Sequence, residues 1–148
     1  MLLPNRYEIA RPLNILLVDD DDGDAQAVQR AFRKAKIGNS FARAVDGLAA
    51  LELLRSPANE AQLSGPQVLL VDLNMPRMNG TQFVSALRAD EHLRRLIVFI
   101  LTTSKREEDK IAAYNLNVAG YIAKGTAGED FSNLVNLLDF YSRIVEMP

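Results

Sequence analysis

The chain has 148 residues, a length that one domain with a single core accounts for. Hydrophobic residues make up 48% and charged residues 24%, ordinary for a globular protein, and a net charge of −2 leaves no electrostatic footprint for nucleic acid. Without a cysteine there is no disulfide framework and no thiolate metal site, which suits a reducing cytoplasm, and no apolar run approaches the roughly 20 residues needed to cross a membrane.

Residues 1–12 lack the apolar stretch of a secretion signal and read as an N-terminal arm ahead of one domain over residues 13–148. Ile15–Val18 is a continuous apolar run, the pattern of a strand buried on both faces. A helix then opens at Asp22 or Gly23 and runs to about Ala35, with Ala27, Val28, Ala31 and Phe32 at helical spacing. Gly38-Asn39 breaks it. Ser40–Val45 reads as the second strand and Gly47–Arg55 as a short helix, followed by a polar connection over Ser56–Pro66. Val68–Val71 is the third strand. Gly80 releases the next helix, which runs to about Ala89 with Phe83, Val84 and Leu87 on its apolar face. Strand Leu96–Leu101, helix Glu107–Leu116 and a short strand at Gly120–Ala123 complete the alternation. Five β/α units with apolar strands predict an α/β fold, a doubly wound parallel sheet of five strands in the order 2-1-3-4-5.

The last helix, expected from Glu129 to Val145, carries two apolar stripes. One comprises Phe131, Leu134, Val135, Leu138, Tyr141 and Val145, and the other Leu137, Phe140 and Ile144. A monomer's surface helix needs a narrower stripe, so the second set is expected to be a partner face, most simply that of a homodimer; the plainer alternative is an apolar helix lying under the chain's own N-terminal arm.

Each strand but the second ends in a group that can do chemistry. Asp19 and Asp20 follow the first, Asp72 the third, Thr102 the fourth, and Lys124 the last. In a parallel open sheet these carboxyl ends share one edge, where ligands bind. Three carboxylates together need cations. Lys124 supplies one, and oxygen ligands of this kind suit a hard divalent ion such as Mg²⁺, with Asp20 and Asp72 as direct ligands, the backbone carbonyl of Asn74 close by and Asp19 acting through water. Asp72 is then a carboxylate nucleophile facing an electrophilic clamp, as phosphoryl transfer to an aspartate requires, with the Thr102 hydroxyl available to a third phosphoryl oxygen. Each feature has a plainer reading alone: the Asp19–Asp24 run as a solvated loop with a helix cap, Asp72 as a turn residue, Lys124 as a surface charge. Their convergence at four strand ends favours the chemical one. His92, in a charged stretch, reads as a solvated loop residue, and neither an EF-hand nor a nucleotide-binding glycine motif fits.

The motifs Ile15-Leu-Leu-Val-Asp-Asp-Asp21, Val71-Asp-Leu-Asn-Met-Pro-Arg-Met-Asn-Gly80, Leu101-Thr-Thr-Ser104 and Tyr121-Ile-Ala-Lys124, with the intervals between them, resemble those of response regulator receiver domains of two-component systems. The resemblance spans about Asn14 to the C-terminus. It implies the flavodoxin-like receiver fold and phosphorylation of Asp72 by a sensor histidine kinase, with Asp19, Asp20 and Mg²⁺ assisting and Lys124 bonding the phosphoryl group. It further implies that Thr102 and Tyr121 relay the change, and that Asn74 and Ser104 tune hydrolysis of the aspartyl phosphate. Gly125 departs from the family, which usually places proline there. Asp22-Gly-Asp24, Tyr114-Asn-Leu116 and the ending Asp139–Pro148 are similar to the single-domain regulators of bacterial and cyanobacterial phytochromes, which implies a phytochrome-type kinase and output through protein contacts. Two other functions remain open here. An aspartate-nucleophile phosphatase of the haloacid dehalogenase kind places its nucleophile on the first strand, unlike this chain. A degenerate receiver acting only as a docking module would not need Asp72, Thr102 and Lys124 together.

Overall fold

A computed structural model describes residues 13–37, 40–57 and 66–148. The N-terminal arm, the break at Gly38-Asn39 and most of the connection after the second helix lie outside the described residues. The strands are β1 (Asn14–Val18), β2 (Ser40–Ala44), β3 (Gln67–Val71), β4 (Ile97–Thr102) and β5 (Gly120–Ala123). The helices are α1 (Asp22–Ala35), α2 (Gly47–Arg55), α3 (Gly80–Ala89), α4 (Glu107–Asn115) and α5 (Ser132–Ile144). All strand pairs are parallel, in the expected order β2-β1-β3-β4-β5.

Alternation along the central strands divides the core into two layers. Leu16, Val18, Leu69, Val71, Val98 and Ile100 face α2, α3 and α4. Ile15, Leu17, Val68, Leu70, Phe99 and Leu101 face α1 and α5. Both layers being buried explains why these strands read as unbroken apolar runs rather than alternating ones.

The register fixes the functional edge. Val18 lies opposite Ala44 and Val71, Val71 opposite Ile100, and Thr102 opposite Ala123. The amide of Asp72 donates to the Val18 carbonyl at 2.9 Å, and that of Asp19 to the Ala44 carbonyl at 3.1 Å, so the ladder carries both aspartates one residue past the strands. Helix starts at this edge are capped by side chains: Asp21 accepts from Asp24 N, Asp46 from Ala49 N, and Asn79 and Gln82 form a reciprocal box. Gly80 admits no substitute, because a Cβ there would sit on the Asp72 carbonyl oxygen and 2.8 Å from the Leu73 Cα. The start of α3 therefore presses directly on the backbone of Asp72.

The last helix is shorter than its sequence pattern, beginning at Ser132 rather than Glu129 and ending at Ile144. Gly128 at φ 98° and Phe131 at φ 61° turn the chain before it, while the amides of Asn133 and Leu134 both donate to the Ala127 carbonyl. The turn places the Phe131 ring in the core instead of on a helical face. Elsewhere the strands and helices differ from expectation by a residue at their ends. Lys124–Thr126 forms a single 3₁₀ turn, and no peptide bond among the described residues is cis, including the one before Gly125.

Candidate functional site

At the carboxyl edge of the sheet, Lys124 Nζ donates to three carboxylates: Asp24 Oδ2 at 2.7 Å, Asp19 Oδ2 at 2.8 Å and Asp72 Oδ2 at 3.4 Å. Lys124 opens the 3₁₀ turn that directly follows β5. Its side chain is 9% exposed, as is that of Asp72, and Asp19 is fully enclosed. Burial pushes the Lys124 pKa down, but its hydrogen bonds to Asp19 and Asp24 and the fields of Asp19 and Asp72 outweigh this and leave it above the ordinary lysine range. Asp19 shows the opposite balance. Burial raises its carboxyl above the usual carboxylate range, although the bonds from Lys124 and the Asp21 amide pull it down. Lysine charge is thus secured at the expense of crowding an enclosed carboxylate.

Asp19, Asp20 and Asp72 each present one carboxylate oxygen such that all three lie within 4.8 Å of one another. Asp20 is exposed, and Asp72 Oδ1 is buried with no hydrogen-bond partner. A buried carboxylate oxygen without a partner is costly, and a hard divalent cation among three such oxygens relieves that cost. The donor set therefore fits a magnesium-sized ion. Asp19 already accepts from Lys124 through Oδ2 and from the Asp21 amide through Oδ1 at 2.9 Å, which leaves Asp20 and Asp72 as the less committed carboxylates.

Arg43 on β2 braces this corner, donating through Nε and Nη2 to the Asp19 carbonyl at 3.1 and 2.9 Å and through Nη1 to Asp22 at 2.7 Å. Across the site, Asp46 caps α2 and accepts from Arg77 Nε at 2.6 Å, while the Gly47 amide donates to the Met78 carbonyl. Arg77 holds the Asp46 carboxyl below its usual range, and the pair ties α2 to the loop that follows Asp72.

Thr102 is wholly buried at the end of β4, its Oγ1 accepting from the Ser104 amide at 3.3 Å. Ser104 Oγ donates to Asp109 at 2.6 Å, and its carbonyl accepts from the Tyr121 hydroxyl at 2.9 Å. The Tyr121 ring is half-buried against the α2–α4 layer of the core. Threonine, Ser104 and Tyr121 thus form one connected path from the strand end into the β4–α4 loop. Asn74 is exposed two residues beyond Asp72.

Asp19, Asp20, Asp72, Thr102 and Lys124 gather at this edge, and Asp24, Arg43 and the Asp46–Arg77 pair join them. Asp24 had a readable signal. It continues the stripe of Val28 and Phe32 by one helical turn, and both of those are buried against the sheet. Arg43 and Arg77 gave no such sign, since Arg43 meets a backbone carbonyl and a carboxylate 21 positions away, and Arg77 a residue 31 positions away.

On α5 the first stripe is buried through Leu134, Val135 and Leu138, and Tyr141 meets the Phe99 ring edge-on at 5.3 Å. No described residue covers the second stripe, with Leu137 42%, Phe140 63% and Ile144 74% exposed.

The response regulator receiver domain family matches residues 15–136. Response regulator Rcp1 of Synechocystis sp. is 32% identical over 138 residues, covering 93% of this chain and 94% of that protein. The structure of its Mn²⁺-bound form superposes with a TM-score of 0.76 at 31% identity, over 93% of this chain and 99% of that one. The phosphorylated cyanobacterial phytochrome response regulator RcpA gives a TM-score of 0.79 at 28% identity, over 94% and 99% of the two chains. No helix among the described residues is long and apolar enough to cross a membrane.

Proposed function

The chain belongs to the response regulator receiver domains, the signalling proteins of two-component systems, and we propose that Asp72 accepts the phosphoryl group of a phosphohistidine on a sensor histidine kinase. The observation that carries this reading is the state of Asp72 itself: nearly buried, one oxygen without a hydrogen bond and the other 3.4 Å from an ammonium. A structural aspartate would have its oxygens satisfied.

In the step, an Asp72 oxygen attacks phosphorus as the P–N bond to the histidine breaks, and the departing electron pair stays on the imidazole nitrogen. Lys124 neutralises one equatorial oxygen, and the Thr102 hydroxyl reaches another by leaving the Ser104 amide. Asp20, Asp72 and the Asn74 carbonyl would hold a divalent metal such as Mg²⁺, with Asp19 acting through water, and the ion would supply charge neutralisation for the transferring group. Asn74 and Ser104, two residues beyond Asp72 and Thr102, tune the access of hydrolytic water, and water attack returns Asp72 to its free form. Movement of Thr102 is passed through Ser104 to Tyr121, whose hydroxyl is bonded to the Ser104 carbonyl.

The test is incubation with acetyl phosphate and Mg²⁺, followed by intact mass. One phosphate is expected on the wild type and none on Asp72→Asn. Labelling that survives the substitution refutes the assignment.

Likeness to a protein described as a phytochrome response regulator supports a phytochrome-type kinase as the donor, in the cytoplasm. The exposed stripe on α5 supports output through protein contacts, beginning with a homodimer around Leu137, Phe140 and Ile144. Apolar side chains with an aromatic at their centre make the heart of a two-fold interface. Light scattering is expected to report twice the monomer mass, and Phe140→Glu, by burying an unpaired charge, to halve it. A monomer in both forms removes the dimer and leaves the stripe as a docking face for the kinase.

A further inference from the structure

We propose that Asp24 is a positioning residue that holds Lys124 back from Asp72 until phosphoryl transfer draws the ammonium away. The inference rests on Asp72 being the phosphoacceptor. An ammonium has three protons to donate, and charge-assisted N–H···O bonds are strong at about 2.7–2.9 Å. Lys124 meets that range with Asp24 at 2.7 Å and Asp19 at 2.8 Å, but not with Asp72 at 3.4 Å. The resting site therefore commits its one cation to two carboxylates that do not react.

A phosphoryl group on Asp72 adds charge and three acceptor oxygens where only one carboxylate oxygen now sits near the ammonium. Closing the 3.4 Å gap to those oxygens draws the ammonium away from its two close partners, and the more weakly held of them yields. The Asp19 side chain is 1% exposed and accepts the Asp21 amide as well, so releasing it would strand an enclosed charge. Asp24 is 35% exposed, and water takes over its carboxylate once the ammonium leaves. Asp24 is accordingly the partner that lets go.

An interaction made before transfer and lost during it stabilises the starting state alone, and so raises the barrier to phosphorylation. It does not bear on hydrolysis, which begins after the bond to Asp24 is broken. The two rates separate this role from a structural one. A carboxylate that merely supported the first turn of α1 would alter unfolding and leave both rates in their original ratio.

The experiment follows labelling by acetyl phosphate at saturating Mg²⁺ through intact mass, then the loss of label after the donor is removed. Asp24→Asn is expected to label about three- to tenfold faster, the scale of one charge-assisted bond reduced for partial exposure. Its loss of label is expected to match the wild type. Asp24→Glu, which keeps a carboxylate within reach of Nζ, is expected to label at close to the wild-type rate. The acceleration should persist at high ionic strength, because the ammonium is enclosed and local contact is little screened.

Labelling of Asp24→Asn at the wild-type rate overturns the proposal, as does equal acceleration of labelling and hydrolysis. An acceleration that vanishes in high salt assigns the effect to general repulsion of the donor and also overturns it. Failure of the reading on which it rests looks different: label on the wild type would then survive Asp72→Asn, whatever stands at position 24.

Discussion

An enclosed lysine and a half-buried arginine sit at opposite edges of the same sheet, and they are satisfied in different ways. Lys124, at the carboxyl edge, faces three carboxylates. Arg88, in the last turn of α3 at the amino edge, donates to four backbone carbonyls: Leu116 and Leu96 at 2.8 Å, Arg94 at 2.9 Å and Asn117 at 3.1 Å. Burial alone lowers the Arg88 pKa, whereas the carboxylates around Lys124 reverse the effect of burial. Arginine here is a peg: it closes the ends of α3 and α4 and the approach to β4, and its neutral acceptors ask for nothing more. The three carboxylates around Lys124 carry more negative charge than its ammonium can balance, and Asp72 Oδ1 goes without a hydrogen bond there. Excess charge at one edge and neutral carbonyl acceptors at the other distinguish a site kept ready to react from a joint.

Substituting the two cations in parallel tests that distinction most severely. Lys124→Met leaves Asp19 and Asp72 enclosed and uncompensated, and is expected to cost about 3–5 kcal/mol in urea unfolding at neutral pH. Added Mg²⁺ should return much of the loss, since the oxygens of Asp19, Asp20 and Asp72 then gain a counter-ion. Arg88→Met strands carbonyls rather than charges, for roughly 2–3 kcal/mol. Mg²⁺ should restore none of it, and Asp72 labelling should continue in the fraction that remains folded. If Mg²⁺ rescues both variants alike, or neither, the two edges do not differ in the way described.

The same contrast governs how much could be read from the sequence. Strand-end residues were legible because a parallel sheet gathers carboxyl termini along one edge, so Asp19, Asp72, Thr102 and Lys124 needed only the strand assignments to be brought together. The two stripes of α5 were legible from helical period alone, one now buried and the other exposed. Arg88 was not, because its partners are carbonyls, which every residue has and no pattern marks. Arg43 escaped notice for the same reason at Asp19. The start of α5 was misplaced by three residues because the left-handed turn at Phe131 rests on Gly128 and on burial of the ring, both tertiary matters. The Lys124–Asp24 bond spans 100 positions in sequence, and only the stripe shared with Val28 and Phe32 hinted that Asp24 looked inward.

The smallest expected effect is a gain. Burial is the largest influence on Asp19 and raises its carboxyl above the ordinary value. The folded protein therefore holds that proton more tightly than the unfolded chain does. Its contribution is fully present below the unfolded pKa, near about 4, and is lost as pH rises through the folded value. By about pH 7 the ionised carboxylate weakens the metal-free fold, even with Lys124 beside it. Asp19→Asn removes the charge, keeps an oxygen for the Asp21 amide, and leaves Lys124 paired with Asp24 and Asp72. The variant is expected to gain about 0.5–2 kcal/mol without divalent metal, the scale on which active sites trade stability for function. In urea titrations the gain should shrink as pH falls and the wild-type carboxyl takes up its proton. It should shrink also in Mg²⁺, where the wild-type carboxylate acquires a use. A loss of stability at neutral pH in the metal-free protein would mean that the Lys124 pair outweighs the burial of Asp19. The carboxyl edge would then hold no surplus of charge, and its likeness to the Arg88 joint would be closer than its chemistry suggests.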